Sequence, residues 1–247
     1  MLKRTAVTAL VLGLLAASAP AVESDGRFPQ MVDLPTAQTI PRASYTAGAR
    51  IGPHGSFVGG FRIGITDYLF AGVSYGAGNV IGTGEPDWED RVEFDFKVRL
   101  ADEAESILGL AIGFDSRGYG DQRGDGTFEK ASPGIFAVAS KTLPFSEHWM
   151  GHAGVSRTLE RERARPSLFA GVSGRFSQEF SVLTEYQVSV GEDGDEASSE
   201  AGYLNAGLRW FLAGRVQIDF MFRNLMGSEG SAELSSRSIG ITFYDSF

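Results

Sequence analysis

Fourteen side chains able to carry charge or proton chemistry stand at alternate positions among apolar or small neighbours. They are Arg50, Arg62, Glu93, Asp95, Lys97, Arg99, Asp115, Lys141, His152, Arg175, Glu185, Arg209, Asp219 and Arg223. With Arg91 included, nine cations face five acids on this polar side. Charges at that density have two uses. They line a wet passage whose sign preference they set, here a weak preference for anions, or they neutralise one another as guanidinium–carboxylate networks in a filled interior. His152 and Ser156 resemble a base and a nucleophile, but four residues along an extended strand separate them by about 13 Å. Direct proton transfer from Ser156 to His152 is therefore excluded, and His152 reads as a polar interior histidine. The loop Asp121-Gln122-Arg123-Gly124-Asp125-Gly126 fails as a calcium loop, because Arg123 and Ser132 occupy ligand positions. The run Glu192-Asp193-Gly194-Asp195-Glu196 reads as a solvated loop tip. No metal site, cofactor or catalytic residue is expected.

The elements that hold these residues are strands. In Arg91–Leu100 the odd positions Arg91, Glu93, Asp95, Lys97 and Arg99 are charged, and the even positions Val92, Phe94, Phe96, Val98 and Leu100 are apolar. Successive side chains of a strand point to opposite faces, so these two faces meet different solvents. The same period recurs in twelve segments, at about 42–51, 56–65, 68–76, 91–100, 106–115, 133–143, 149–158, 167–176, 180–190, 202–211, 215–224 and 236–244. Apart from the first hairpin, the connections alternate between short turns and long polar loops. Strands near ten residues, sorted loops and aromatics at the short-turn ends (Tyr68, Trp149, Phe176, Phe180, Trp210, Phe243) predict an all-β, antiparallel, up-and-down transmembrane barrel. A soluble periplasmic β-sandwich binding module is the competing architecture.

The chain opens Met1-Leu2-Lys3-Arg4, runs apolar from Ala6 to Ala16 and reaches Ala17-Ser18-Ala19-Pro20-Ala21. This is the pattern of an export signal over 1–21. Residues 22–41, with Pro29, Pro35 and Pro41 and no periodicity, predict an extended periplasmic lead-in, and 42–247 the barrel. The full chain carries a net charge of −9 and no cysteine. That acidity argues against a nucleic-acid partner, and disulfides and thiolate metal sites are excluded. No later stretch has the ~20 apolar residues of a membrane helix. The expected location is the outer membrane, with its lipid and lipopolysaccharide as surroundings.

The terminal Ser238-Ile239-Gly240-Ile241-Thr242-Phe243-Tyr244-Asp245-Ser246-Phe247 resembles the C-terminal signal read by the outer-membrane assembly machinery, with Phe243 and Phe247 as its aromatic positions. Asp245 departs from the pattern, so the last membrane strand is expected to finish at Phe243. Leu34-Pro35-Thr36-Ala37, Ile40-Pro41, Gly64-Ile65-Thr66-Asp67 and Gly72-Val73-Ser74-Tyr75-Gly76 resemble the start of exopolysaccharide-associated, YjbH-like outer-membrane barrels, over residues 33–141. That resemblance implies a barrel with a polysaccharide-linked envelope role and brings no catalytic residue. No His/Ser/Asn arrangement resembles that of the outer-membrane phospholipases. The functional expectation is a non-enzymatic, porin-like channel for small solutes. The alternative is an envelope or exopolysaccharide-associated barrel with a plugged lumen.

Overall fold

The computed structural model describes residues 28–162, 164–189, 202–227 and 236–247. The expected signal segment 1–21 and the acidic run 192–196 lie outside the described residues. Twelve long strands form one antiparallel sheet: β1 (Ser44–Ile51), β2 (Phe57–Thr66), β3 (Leu69–Gly78), β4 (Glu93–Ala101), β5 (Gly109–Asp115), β6 (Gly134–Thr142), β7 (Trp149–Arg157), β8 (Ser167–Arg175), β9 (Phe180–Ser189), β10 (Tyr203–Leu212), β11 (Val216–Arg223) and β12 (Ser236–Ser246). Each pairs with its sequence neighbour, and β1 pairs with β12 from Ser44↔Ser246 to Ile51↔Ile239. The sheet is thereby closed, which satisfies every ladder without leaving an edge.

Exposure follows the opposite rule from a water-soluble protein. Glu93, Lys97, Glu185, Arg209 and Arg223 are buried, whereas Phe94, Phe96, Leu100, Ile112 and Ile241 are about half exposed. Apolar groups outside and charges inside make sense only where the outer solvent is lipid. Short turns at 67–68, 143–148, 176–179 and 213–215 mark one end, and loops such as 79–92 and 116–133 the other. The second of these loops folds into a ribbon, Tyr119–Gln122 against Phe128–Lys130. Strand β12 continues to Ser246, beyond the expected stop at Phe243. Tyr45 pairs with Asp245 in the ladder, and Arg215 meets the Asp245 carboxylate at 3.6 Å, so the charge is matched rather than left to end the strand.

The larger correction concerns the segment before β1. Residues 28–41 are not an extended periplasmic lead-in; they fold back as a hairpin inside the barrel. Its turn is closed by Met31 N–H to Leu34 O (2.9 Å) and Thr36 N–H to Pro29 O (3.2 Å), with a Gln30↔Pro35 bridge. Met31, Leu34 and Ala37 pack on Ala111, Phe136, Val138 and Phe169 of the wall. Phe28 and Val32 pack with Leu183, Phe211 and Met221. Apolar residues scattered among prolines show no periodicity because they serve a packed hairpin rather than a repeating element.

Candidate functional site

The charged inner face binds this hairpin. At the apex, the Glu185 carboxylate accepts the backbone N–H groups of Val32 (3.0 Å), Asp33 (3.0 and 3.1 Å) and Leu34 (3.0 Å), and Asn205 Nδ2 donates to it at 2.8 Å. A carboxylate in a cluster of amides is a charge-assisted arrangement of high strength. The Asp33 carboxylate receives Arg223 through Nε and Nη2 (2.8–3.0 Å), with Lys130 at 3.5 Å and Arg50 at 4.0 Å. Burial pushes the Asp33 carboxyl up, but Arg223, then Lys130 and Arg50, outweigh it and hold it well below the usual carboxylate range. Tyr119 of the loop ribbon lies beneath the Arg223 guanidinium, 4.0 Å from ring centre to Cζ.

Deeper in the bore, Arg209 donates to Met31 O at 3.2 Å while Asp219 holds its Nε at 2.7 Å. Its guanidinium also covers the Phe28 ring at 4.3 Å. Lys97 Nζ donates to Gln38 O (3.2 Å) and to Pro29 O. Arg62 joins Asp95 (2.7 Å) to the Gln30 side chain (3.2 Å). The returning limb is strapped by a line of hydrogen bonds: Ala37 N–H donates to Ser140 Oγ (2.9 Å), Ser140 contacts His152 Nδ1 (2.7 Å), and His152 Nε2 contacts Ser173 Oγ (2.9 Å). Each serine hydroxyl can donate to or accept from the imidazole, so one ring nitrogen donates along this line and the other accepts, as the tautomer sets. Among the described residues no carboxylate completes this line, and Ser156 takes no part in it.

Glu93 is buried against Arg91 (2.8 Å), and Asp115 accepts the Arg117 backbone N–H (2.8 Å). Arg175 faces inward by register, opposite Ser181 at the short-turn end. Arg99 has slipped to the rim, where it meets Asp102 at 2.7 Å and the Tyr68 ring, beside a register shift in β4. Lys141 is a clear correction: it lies on the outer face, bonded to Glu103 (3.1 Å) and Ile107 O. In β6 the inward set is Gly134, Phe136, Val138 and Ser140. Phe136 and Val138 point inward because the hairpin gives them an apolar partner there. Phe243 and Phe247 flank the Tyr45 ring at 6.5 and 5.2 Å.

Sequence reasoning missed Asp33, Arg117, Lys130, Asn205 and the two serines around His152. Ser140, Ser173 and Asn205 carry a parity signal once the strand phase is known; Asp33 carries none. Beside the hairpin a cleft of about 160 Å³ remains. Its charged lining is Arg50, Arg62, Arg117 and Arg209 against Asp95, Asp115 and Asp219. Among the described residues no cluster suited to a metal ion occurs.

No family model matches the sequence, and no curated protein matches it. Among solved structures, the KdgM porin aligns with a TM-score of 0.51 at 7% identity, covering 83% of this chain and 99% of that one. The KdgM porin in complex with disordered oligogalacturonate gives 0.52 at 7% identity and the same coverage. The likeness is one of fold. This chain is a closed, antiparallel, twelve-stranded β-barrel. The resemblance to exopolysaccharide-associated barrels finds no support in these comparisons.

Proposed function

We propose that the protein is a non-enzymatic outer-membrane channel of low conductance for small solutes, with weak anion preference. The observation that carries this reading is the polar cleft between hairpin and wall, in which four guanidinium groups face three carboxylates. A porin-like barrel fold agrees with it. The sign preference is small because most lining charges are already paired, Arg62 with Asp95 and Arg209 with Asp219. The chain reaches the membrane through its signal segment and the outer-membrane assembly machinery, which reads Phe247, and it sits among lipopolysaccharide.

Planar-bilayer recording tests this. Small unitary currents are expected, with a reversal potential displaced toward anions under a salt gradient. Arg62→Glu reverses one charge of the cleft and is expected to turn that preference toward cations. A strong cation preference of the native protein is the contrary result. The second reading, a structural envelope barrel with a filled lumen, is favoured by the hairpin itself; absence of any current in folded, inserted protein decides for it.

A further inference from the structure

We propose that the hairpin 28–41 is a withdrawable stopper seated in a socket built by the barrel wall, and that its exit turns the narrow cleft into an open bore with a cationic long-loop end. This rests on the channel reading above. The topology permits withdrawal. Phe28 stacks on Phe211 (5.3 Å), next to the short turn at 213–215, and the returning limb bonds Thr39 Oγ1 to Asp67 O (2.8 Å), also at a short turn. Both ends of the described hairpin thus lie toward the same end of the barrel. The β1–β12 ladder that closes the barrel does not pass through the hairpin. The segment can therefore slide out as a unit with every wall strand still paired.

The wall is shaped to the hairpin. A Cβ at Gly171 would stand 2.4 Å from Met31 Sδ, and one at Gly64 would stand 1.9 Å from Pro41 O. Larger residues at these inward positions would clash with the docked segment. The polar part of the fastening is exchangeable with water: Glu185 to three amides, Arg209 and Lys97 to carbonyls, Arg223 to Asp33. The cleft runs along the hairpin edge, lined there by Pro29, Gln30, Met31 and Val32. Ordering fourteen backbone residues opposes docking, so the seated state is a difference between comparable opposing effects rather than a covalent certainty.

Charge completes the case. Asp33 is the one ionised group of segment 28–41, and it faces Arg223, Lys130 and Arg50. Withdrawal removes that carboxylate and leaves the three cations at the long-loop end of the bore with Glu185 as the nearby wall acid. The open state is consequently the more anion-preferring of the two.

A tether tests the motion. The chain has no cysteine, and a Cβ at Gly109 would lie 3.5 Å from the Ala37 Cβ, within the span of a disulfide. In the Ala37→Cys/Gly109→Cys variant under reducing conditions, single-channel records are expected to switch between a small level and a several-fold larger one. Oxidation, verified by loss of maleimide labelling, is expected to abolish the larger level, and reduction to restore it. Asp33→Ala in the otherwise native chain is expected to raise the time spent in the larger level. Equal small currents in the oxidised and reduced forms would overturn the stopper while leaving the channel standing. No current in any form would overturn both.

Discussion

At the residue scale, Arg223 shows what sequence reading reaches and where it stops. Its inward orientation is legible from β11, where Ile218, Phe220 and Phe222 alternate with Gln217, Asp219 and Arg223. Its partner, Asp33, is 190 positions away in a segment without periodicity. A guanidinium buried inside a barrel announces that it has a counter-charge but not which one. The pair allows a sharp prediction. Arg223→Ala leaves Asp33 buried with Lys130 at 3.5 Å and Arg50 at 4.0 Å as its remaining cations. Removing one member of a buried pair costs about 3–5 kcal/mol, and here that cost falls on hairpin docking. Asp33→Ala/Arg223→Ala, which removes both charges, is expected to dock better than Arg223→Ala alone. Limited proteolysis of the folded protein, followed at sites within 28–41, gives the order of protection. Equal or lower protection in the double variant would show that the pair does not couple hairpin to wall.

At the scale of the element, the strands were readable because lipid and lumen impose a period of two, and the misreadings arise where a third environment intrudes. Strand β6 is the instructive case. Reading apolar as outward placed Phe136 and Val138 in lipid and Lys141 in the lumen, whereas the hairpin supplies apolar surface inside and reverses the phase. Strand β4 meets the hairpin through polar groups, Lys97 donating to its carbonyls, and keeps its expected phase, with Phe94 and Phe96 exposed and Glu93 and Lys97 buried. The two strands should therefore fail differently. Phe96→Arg, near the middle of β4, puts a charge on the lipid face, at about 2–4 kcal/mol near the bilayer midplane, and is expected to lower insertion. Phe136→Ala removes a ring packed among Met31, Leu34 and Phe169, a loss of about 3–5 kcal/mol for a buried phenylalanine, and is expected to spare insertion but loosen the hairpin. The amount of membrane-inserted protein, paired with hairpin proteolysis of the inserted fraction, separates the two effects. Insertion lost in Phe136→Ala to the same degree as in Phe96→Arg would mean that ring faces lipid after all.

At the scale of the whole molecule, the twelve-strand closure was readable from the sorting of its connections. Short turns and long loops alternate only if each strand crosses the same layer in the opposite sense from its neighbours. The contents of the barrel were not readable, because nothing in a strand's alternation reports whether its wet face meets water or another part of the same chain. Closure is also where the molecule is most vulnerable. The β1–β12 ladder runs eight residue pairs, and Phe247 N–H adds a bond to Ala43 O at 2.8 Å. A chain ending after residue 235 would lack β12 and leave the facing edges of β1 and β11 unpaired, and unpaired backbone groups in hydrocarbon cost several kcal/mol each. That truncation is expected to abolish the folded barrel entirely, whereas deletion of Phe247 alone keeps the ladder and is expected only to slow assembly. Electrophoresis in mild detergent, with and without boiling, distinguishes them. The full chain and the Phe247 deletion should each show a compact band that boiling converts to the unfolded mobility, and the truncation should show only the unfolded band. A compact, heat-sensitive band from the truncated chain would mean that eleven strands close without β12, and that the ladder from Ser44 to Ile51 is not what seals the barrel.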